Sequence, residues 1–204
     1  MYTIGKAPCI FLVYIAGMEA FGGAFFRPNI LFLTPPLSKQ GEEDIRKIVQ
    51  KASHIRTCVV IYAAHPKSGL GRHKSINILI DDKSPDWEIS MDLGNMDLAI
   101  LIRYKLKRKW EASMNLISAV GEEGQKRETE EYIKTLAELA RLPNVNTYTL
   151  EGDIESIVQK VPRAALNIFT LPYEPEFEFI RRMVELTVSS CLFTLDSGDE
   201  NALA

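Results

Sequence analysis

A chain of 204 residues is long enough to bury a substantial core without disulfides or a metal to staple it. Its net charge of −3, from 24 Lys and Arg against 27 Asp and Glu, excludes a nucleic-acid binder of the usual basic kind. Cys9, Cys58 and Cys191 sit inside apolar runs, are odd in number and lack the spacing of a zinc site, so they read as reduced core thiols rather than a disulfide framework.

In chain order, the first segment, Ala7 to Phe26, is apolar but interrupted by Glu19 and by Gly17, Gly22 and Gly23. A membrane span needs about 20 mostly apolar residues and a signal peptide needs a small-residue cleavage site, so neither is expected and the chain reads as soluble. Residues 1–26 fit the later rhythm poorly and read as the remnant of a preceding half-domain, with 27–204 as the α/β domain proper.

From Asn29 onward, apolar strand-like runs alternate with one-sided helical stretches, the pattern of a three-layer α/β fold with a mainly parallel sheet and helices on both faces. Strands are expected near 30–33, 58–63, 114–120, 146–150, 166–171 and 191–195, with Ile76 to Ile80 as an extra or edge strand. Ser38 is placed to cap a helix whose inner face is Ile45, Ile48, Val49 and Ala52. A helix over 96–109 carries Leu98, Leu101, Ile102, Leu106 and Trp110 on one side, with Arg103, Lys107 and Arg108 pointing elsewhere. Glu128 to Arg141 shows Tyr132, Ile133, Leu136, Ala137 and Ala140 on one side, and Asp153 caps a short helix with Ile154, Ile157 and Val158 inward. The last helix, Pro175 to Ser190, turns Phe177, Ile180, Val184 and Val188 to the core.

Candidate chemistry is sparse. The loop His65-Pro-Lys-Ser-Gly-Leu-Gly-Arg-His73 contains Gly-x-Gly, but the third glycine and the following helix of a phosphate cradle are missing, so it reads as a mobile polar loop. Gly121-Glu-Glu-Gly124 begins a nucleotide-binding pattern of universal stress proteins, yet two glutamates stand where phosphate would approach and no downstream Gly-Ser or Gly-Thr follows. Asp81, Asp82, Asp86, Glu88 and Asp92 read as solvated loop residues. No nucleophile elbow, zinc-binding helix or Cys-x-x-Cys pair is present. The chain is therefore read as no enzyme, with no catalytic, cofactor-binding or metal residues.

The exception is the basic knot Arg103-Tyr-Lys-Leu-Lys-Arg-Lys-Trp110, which ends the 96–109 helix. Its cations suit the negative end of a helix dipole and equally suit a surface that meets acidic protein or lipid head groups. Arg103, Lys105, Lys107, Arg108, Lys109 and Trp110 form the candidate docking face. The bland alternative, in which Trp110 plugs the core and the lysines keep that end soluble, stands beside it.

The order Asp92-Leu-Gly-Asn-Met-Asp-Leu-Ala-Ile-Leu-Ile-Arg-Tyr-Lys-Leu-Lys-Arg-Lys-Trp110 followed by a strand resembles the cytosolic C-terminal domain of cation-chloride cotransporters, members of the amino acid permease-like transporters. Arg27-Pro-Asn-Ile-Leu-Phe-Leu33 is similar to the strand opening the second half of that domain, and Asn167-Ile-Phe-Thr-Leu-Pro172 ahead of a helix is a third likeness. The resemblance implies a universal-stress-protein-like α/β fold. It also implies a regulatory and dimerisation domain on the cytoplasmic side of the cell membrane, attached to an upstream transmembrane domain of the same polypeptide that moves chloride with sodium or potassium. Expected partners are that membrane domain, a second copy and anionic lipid, with no nucleic acid and no cofactor. The alternative is a free-standing universal-stress-like nucleotide binder or small hydrolase.

Overall fold

The computed structural model describes residues 17, 29–71, 74–80, 87, 93, 95–121 and 125–203, the side chains of 107 and 108 excepted. Among the described residues seven strands are formed where the apolar runs lie: β1 (Ile30–Leu33), β2 (Cys58–Ala63), β3 (Ser75–Ile80), β4 (Ser113–Val120), β5 (Val145–Glu151), β6 (Leu166–Thr170) and β7 (Ser190–Leu195). The helices lying wholly among the described residues are α1 (Lys39–His54), α2 (Met96–Trp110), α3 (Lys126–Leu139), the single turn α4 (Ile154–Ile157) and α5 (Phe177–Thr187). One sheet holds all seven strands in the order β1-β2-β7-β6-β3-β4-β5. Every neighbouring pair is parallel except β2 and β7, so two parallel blocks meet at one antiparallel seam.

β3 is central, hydrogen-bonded to β6 on one side and β4 on the other, rather than an extra or edge strand. Its five residues from Ile76 to Ile80 are buried, as a strand covered on both faces requires. The alternation of side chains then divides the core in two. Ile76, Ile78, Met114, Leu116, Leu166 and Ile168 pack beneath α2 and α3. Leu79, Ile117, Phe169, Phe193 and Leu195 pack beneath α1, α4 and α5, where Phe169 and Phe193 stack with ring centroids 5.1 Å apart.

The caps follow the sequence closely. Ser38 accepts from the Gly41 N–H at 3.1 Å and Asp153 from the Ser156 N–H at 2.8 Å, each satisfying an orphan donor of its helix. α5 differs at its end: it stops at Thr187, and Val188 is 47% exposed with φ 52°, a left-handed conformation that a β-branched residue adopts at a cost. Met183 and Thr187, not Val188, complete its buried face.

One polar row runs from exposed Asn146 into the core on the face that α4 and α5 cover. Asn146 on β5 donates to Asn115 on β4 at 3.0 Å, Asn115 to Asn77 on β3 at 2.7 Å, and Asn77 to Asn167 on β6 at 3.0 Å. Asn77 also donates to the Pro162 carbonyl at 2.9 Å, and Asn167 passes the chain on to Ser189 Oγ at 2.5 Å. The parallel register pairs these asparagines directly, Asn77 with both Asn115 and Asn167, and Asn115 with Asn146. An amide is donor and acceptor at once, so a row of them satisfies itself along the hydrogen-bonding direction of the sheet.

Among the described residues no helix is long and apolar enough to cross a membrane. The reading of 1–26 as a half-domain remnant, Cys9, His73, the acidic residues from 81 to 92 and Glu122 to Gly124 lie outside the described residues.

Candidate functional site

Asp97 opens α2 and is buried; its carboxylate oxygens accept N–H groups from Leu93 at 2.9 Å and from Ala202 at 2.5 Å, a negative group at the positive end of the helix. Met96, Ala99, Ile100 and Arg103 recur at helical spacing and are all buried. Arg103 therefore lies 1% exposed in the core-facing stripe, not on the outer side as its chemistry suggests. Its guanidinium stands over the Tyr104 ring at 5.4 Å, its Nη1 has no hydrogen-bond partner, and burial holds its pKa below the usual arginine value. Tyr104 in turn donates its hydroxyl to the Ala140 carbonyl, tying α2 to the end of α3.

Of the remaining candidate docking residues, Lys105 and Lys109 are exposed, Trp110 is half-buried, and the side chains of Lys107 and Arg108 lie outside the described residues. Ile102, Leu106 and Trp110 face Ile30 and Phe32 of β1 and Tyr62 of β2 across an apolar groove of about 320 Å³. Ile30 and Phe32 are 40% and 57% exposed on β1, the first in the order of the described strands. A second hollow of about 560 Å³ lies between the starts of α1 and α5. Its arginines are already engaged, since Arg46 and Arg181 both pair with Glu42 and Arg46 donates to the Pro175 carbonyl.

A second polar group gathers where β7 ends. Cys58 Sγ donates to Glu200 Oε1 at 2.8 Å, while the Ser197 N–H and hydroxyl donate to Glu200 Oε2 at 3.0 and 2.7 Å. Asp196 Oδ2 accepts from the Leu98 N–H at 3.2 Å. Burial, then the neighbouring Glu200 carboxyl, pushes Asp196 well above the usual carboxylate range. Burial also raises Glu200, but hydrogen bonds from Cys58, Ser197 and Asp196 outweigh it and hold Glu200 below its ordinary value. Burial and Glu200 together push the Cys58 thiol up to about 12. One ligand atom from each of Cys58, Asp196 and Glu200 lies within 4.8 Å of the other two, a set that can hold a metal ion. Sequence reading placed Cys58 as a core thiol, which it is, and passed over Asp196 and Glu200; a D-x-x-x-E step after the last strand is the signal, and it looks like an ordinary solvated tail.

The His65 loop is pinned rather than loose. His65 Nδ1 accepts from the Lys67 and Ser68 N–H groups, and Ser190 Oγ accepts from the His65 N–H at 3.0 Å and donates to the Gly69 carbonyl at 2.5 Å. Ser190 thus ties residues 65 and 69 to β7, while His65 Nδ1 closes the turn within the loop.

Two consecutive family models cover the chain: the first part of the prokaryotic cation-chloride cotransporter C-terminal domain over residues 13–70, and the second part over residues 71–203. Among solved structures, the cytoplasmic domain of a prokaryotic cation chloride cotransporter is 45% identical, with a TM-score of 0.84 over 93% of this chain and 72% of that one. A functionally unknown protein from Pseudomonas aeruginosa PAO1 has a TM-score of 0.55 at 13% identity, covering 94% of this chain and 69% of that one. A protein assigned to the universal stress family from Pseudomonas aeruginosa UCBPP-PA14 has a TM-score of 0.55 at 12% identity, covering 94% of this chain and 70% of that one. These two likenesses are of fold alone. No curated protein sequence matches the chain significantly. The α/β sheet of universal-stress type and the two matched parts, which together span almost the whole sequence, place the chain in the family of C-terminal cytoplasmic domains of prokaryotic cation-chloride cotransporters.

Proposed function

We propose that this domain regulates transport from the cytoplasmic side without catalysing a reaction of its own. It docks on the membrane domain of its own polypeptide, pairs with a second copy, and so modulates the movement of chloride with sodium or potassium. The observation that supports this reading is the apolar groove between α2 and β1, with Phe32 57% exposed on its rim. Leaving apolar surface in water costs about 25 cal/mol per Å², so a contiguous patch of this kind favours a covered face. Lys105 and Lys109 are exposed on the helix that walls the groove and are suited to acidic protein or anionic head groups.

Two measurements test the reading. Sedimentation of the isolated chain is expected to show a dimer at high micromolar concentration and a monomer after Phe32→Asp; a strict monomer throughout counts against pairing. In vesicles carrying the whole transporter, Phe32→Asp and the replacement of Lys105, Lys107, Arg108 and Lys109 by Gln are each expected to change chloride flux. Unchanged flux in both variants, with unchanged binding of the Gln variant to anionic vesicles at low salt, overturns the regulatory docking role.

A further inference from the structure

The antiparallel seam sets Val59 opposite Leu195 and Val60 opposite Thr194, and continuing that register by one rung brings Cys58 opposite Asp196. The turn that follows, Asp196-Ser-Gly-Asp-Glu200, folds back on itself with Gly198 at φ 85°, a conformation glycine adopts freely. Ser197 takes one oxygen of Glu200, and the other is left facing Cys58 Sγ. The fold thus brings the turn that carries Asp196 and Glu200 against Cys58 of β2, which is far away in the sequence.

The decisive atom is Asp196 Oδ1. Asp196 is 8% exposed, its Oδ2 is used by the Leu98 N–H, and its buried Oδ1 has no donor other than a proton shared with the facing Glu200 carboxylate. The groups beside it are another carboxylate and a thiol, and among the described residues no Lys or Arg forms an ion pair with Asp196 or Glu200. Asp97 is a further negative group near Asp196, its carboxylate holding the Leu93 and Ala202 N–H groups. A single proton satisfies one pair of these acceptors; a cation satisfies all three at once.

We propose that Cys58 Sγ, Asp196 Oδ1 and Glu200 Oε1 are the protein ligands of a zinc-type divalent transition-metal cation. Thiolate with carboxylate suits a borderline ion better than the hard magnesium or calcium ions, and three protein ligands leave a fourth position for water. Metal–ligand bonds of about 2.0–2.3 Å place ligand atoms about 3–4 Å apart, so binding would move Cys58 Sγ and Glu200 Oε1 slightly apart from their present 2.8 Å. Binding releases the Cys58 proton, and any proton held between the carboxylates, to solvent. The bound ion ties the 197–203 segment, which also caps α2 through Ala202 and Asp97, to the β2–β7 seam.

The test uses the whole chain, stripped with a chelator and titrated with zinc chloride, and with cobalt chloride for spectroscopy. Expected are one ion per chain with a Kd below about 1 µM, proton release on binding and a thiolate-to-cobalt charge-transfer band. Cys58→Ser abolishes the band, and Asp196→Asn and Glu200→Gln each weaken affinity by about tenfold or more, while Cys9→Ser and Cys191→Ser change neither. Glu200, on an exposed turn, keeps the test open if Cys58→Ser fails to fold. A Kd weaker than about 100 µM, as a proton-sharing pair alone would give, overturns the proposal. So does tight binding that survives Glu200→Gln and Asp196→Asn combined.

Discussion

Two polar groups, each buried except at one member, sit at opposite ends of the sheet, and they are solved in opposite ways. Near the starts of β3, β4, β5 and β6 the four asparagines hand hydrogen bonds from strand to strand until Ser189 accepts the last. At the far end of β7, Asp196 faces Glu200 beside Cys58, and two carboxylates meet with only a shared proton available between them. Amides in register are self-complementary, whereas carboxylates need a proton or a cation from elsewhere. The first arrangement is complete within the protein; the second is the proposed cation site.

The comparison is broken most forcefully at Asn77, which engages Asn115, Asn167 and the Pro162 carbonyl while 1% exposed. Asn77→Leu should cost about 3–4 kcal/mol by urea unfolding, because it leaves several buried groups unpaired. Converting Asn77, Asn115 and Asn167 together to Leu should recover more than half of that. A triple variant worse than the sum of the three single ones would show that the ladder contributes more than mutual satisfaction.

A second effect reads the ladder end through Cys191, which pairs with Asn167 in register. Burial pushes its thiol up to about 12, so the folded chain holds that proton more tightly than the unfolded chain does. The stabilisation is complete below the unfolded thiol value near 8.5 and is lost as pH rises toward about 12, with about 2 kcal/mol gone by pH 10. The slope of unfolding free energy against pH from 8.5 to 10 should flatten by about this amount in Cys191→Ala. An unchanged slope would mean that the thiol titrates as if exposed.

Val188 sharpens the same end of the ladder, since its left-handed turn delivers Ser189 to Asn167. Val188→Asn should stabilise the chain by about 1 kcal/mol, as asparagine tolerates φ 52° and valine does not. A loss of stability would indicate that the valine makes contacts that outweigh its backbone strain.

The smallest expected effect lies in the acidic corner. With chelator present, Asp196→Asn should be neutral or stabilising by up to about 1 kcal/mol, the opposite sign from any ladder substitution, because it removes one of two facing carboxylates and keeps an acceptor for the Leu98 N–H. A loss above about 2 kcal/mol would place this corner in the same class as the ladder.

Much of the fold was legible because burial on two faces leaves a plain trace. Cys58 to Ala63 is an uninterrupted apolar run and forms a strand over that span. Ser38 and Asp153 announce their helices by a local rule that tertiary contacts did not override. Three motifs carried the family resemblance, and the two matched family parts bear it out. Arg103 was misread because a charged residue at a core-facing helical position is normally assigned outward, and Val188 because periodicity says nothing of where a helix ends.

By itself, then, the order of residues determined the alternation of strand and helix, the faces that each helix buries and the class of the fold, since these follow from local propensity and side-chain period. Only the tertiary structure decided the strand order, which makes β3 central and turns β7 against β2. That order puts Cys58 beside Asp196, 138 positions away in the sequence, and aligns four asparagines from four separate strands. No local rule specifies such pairings, because they depend on which long-range crossovers bury the most apolar surface, and that is a property of the whole chain.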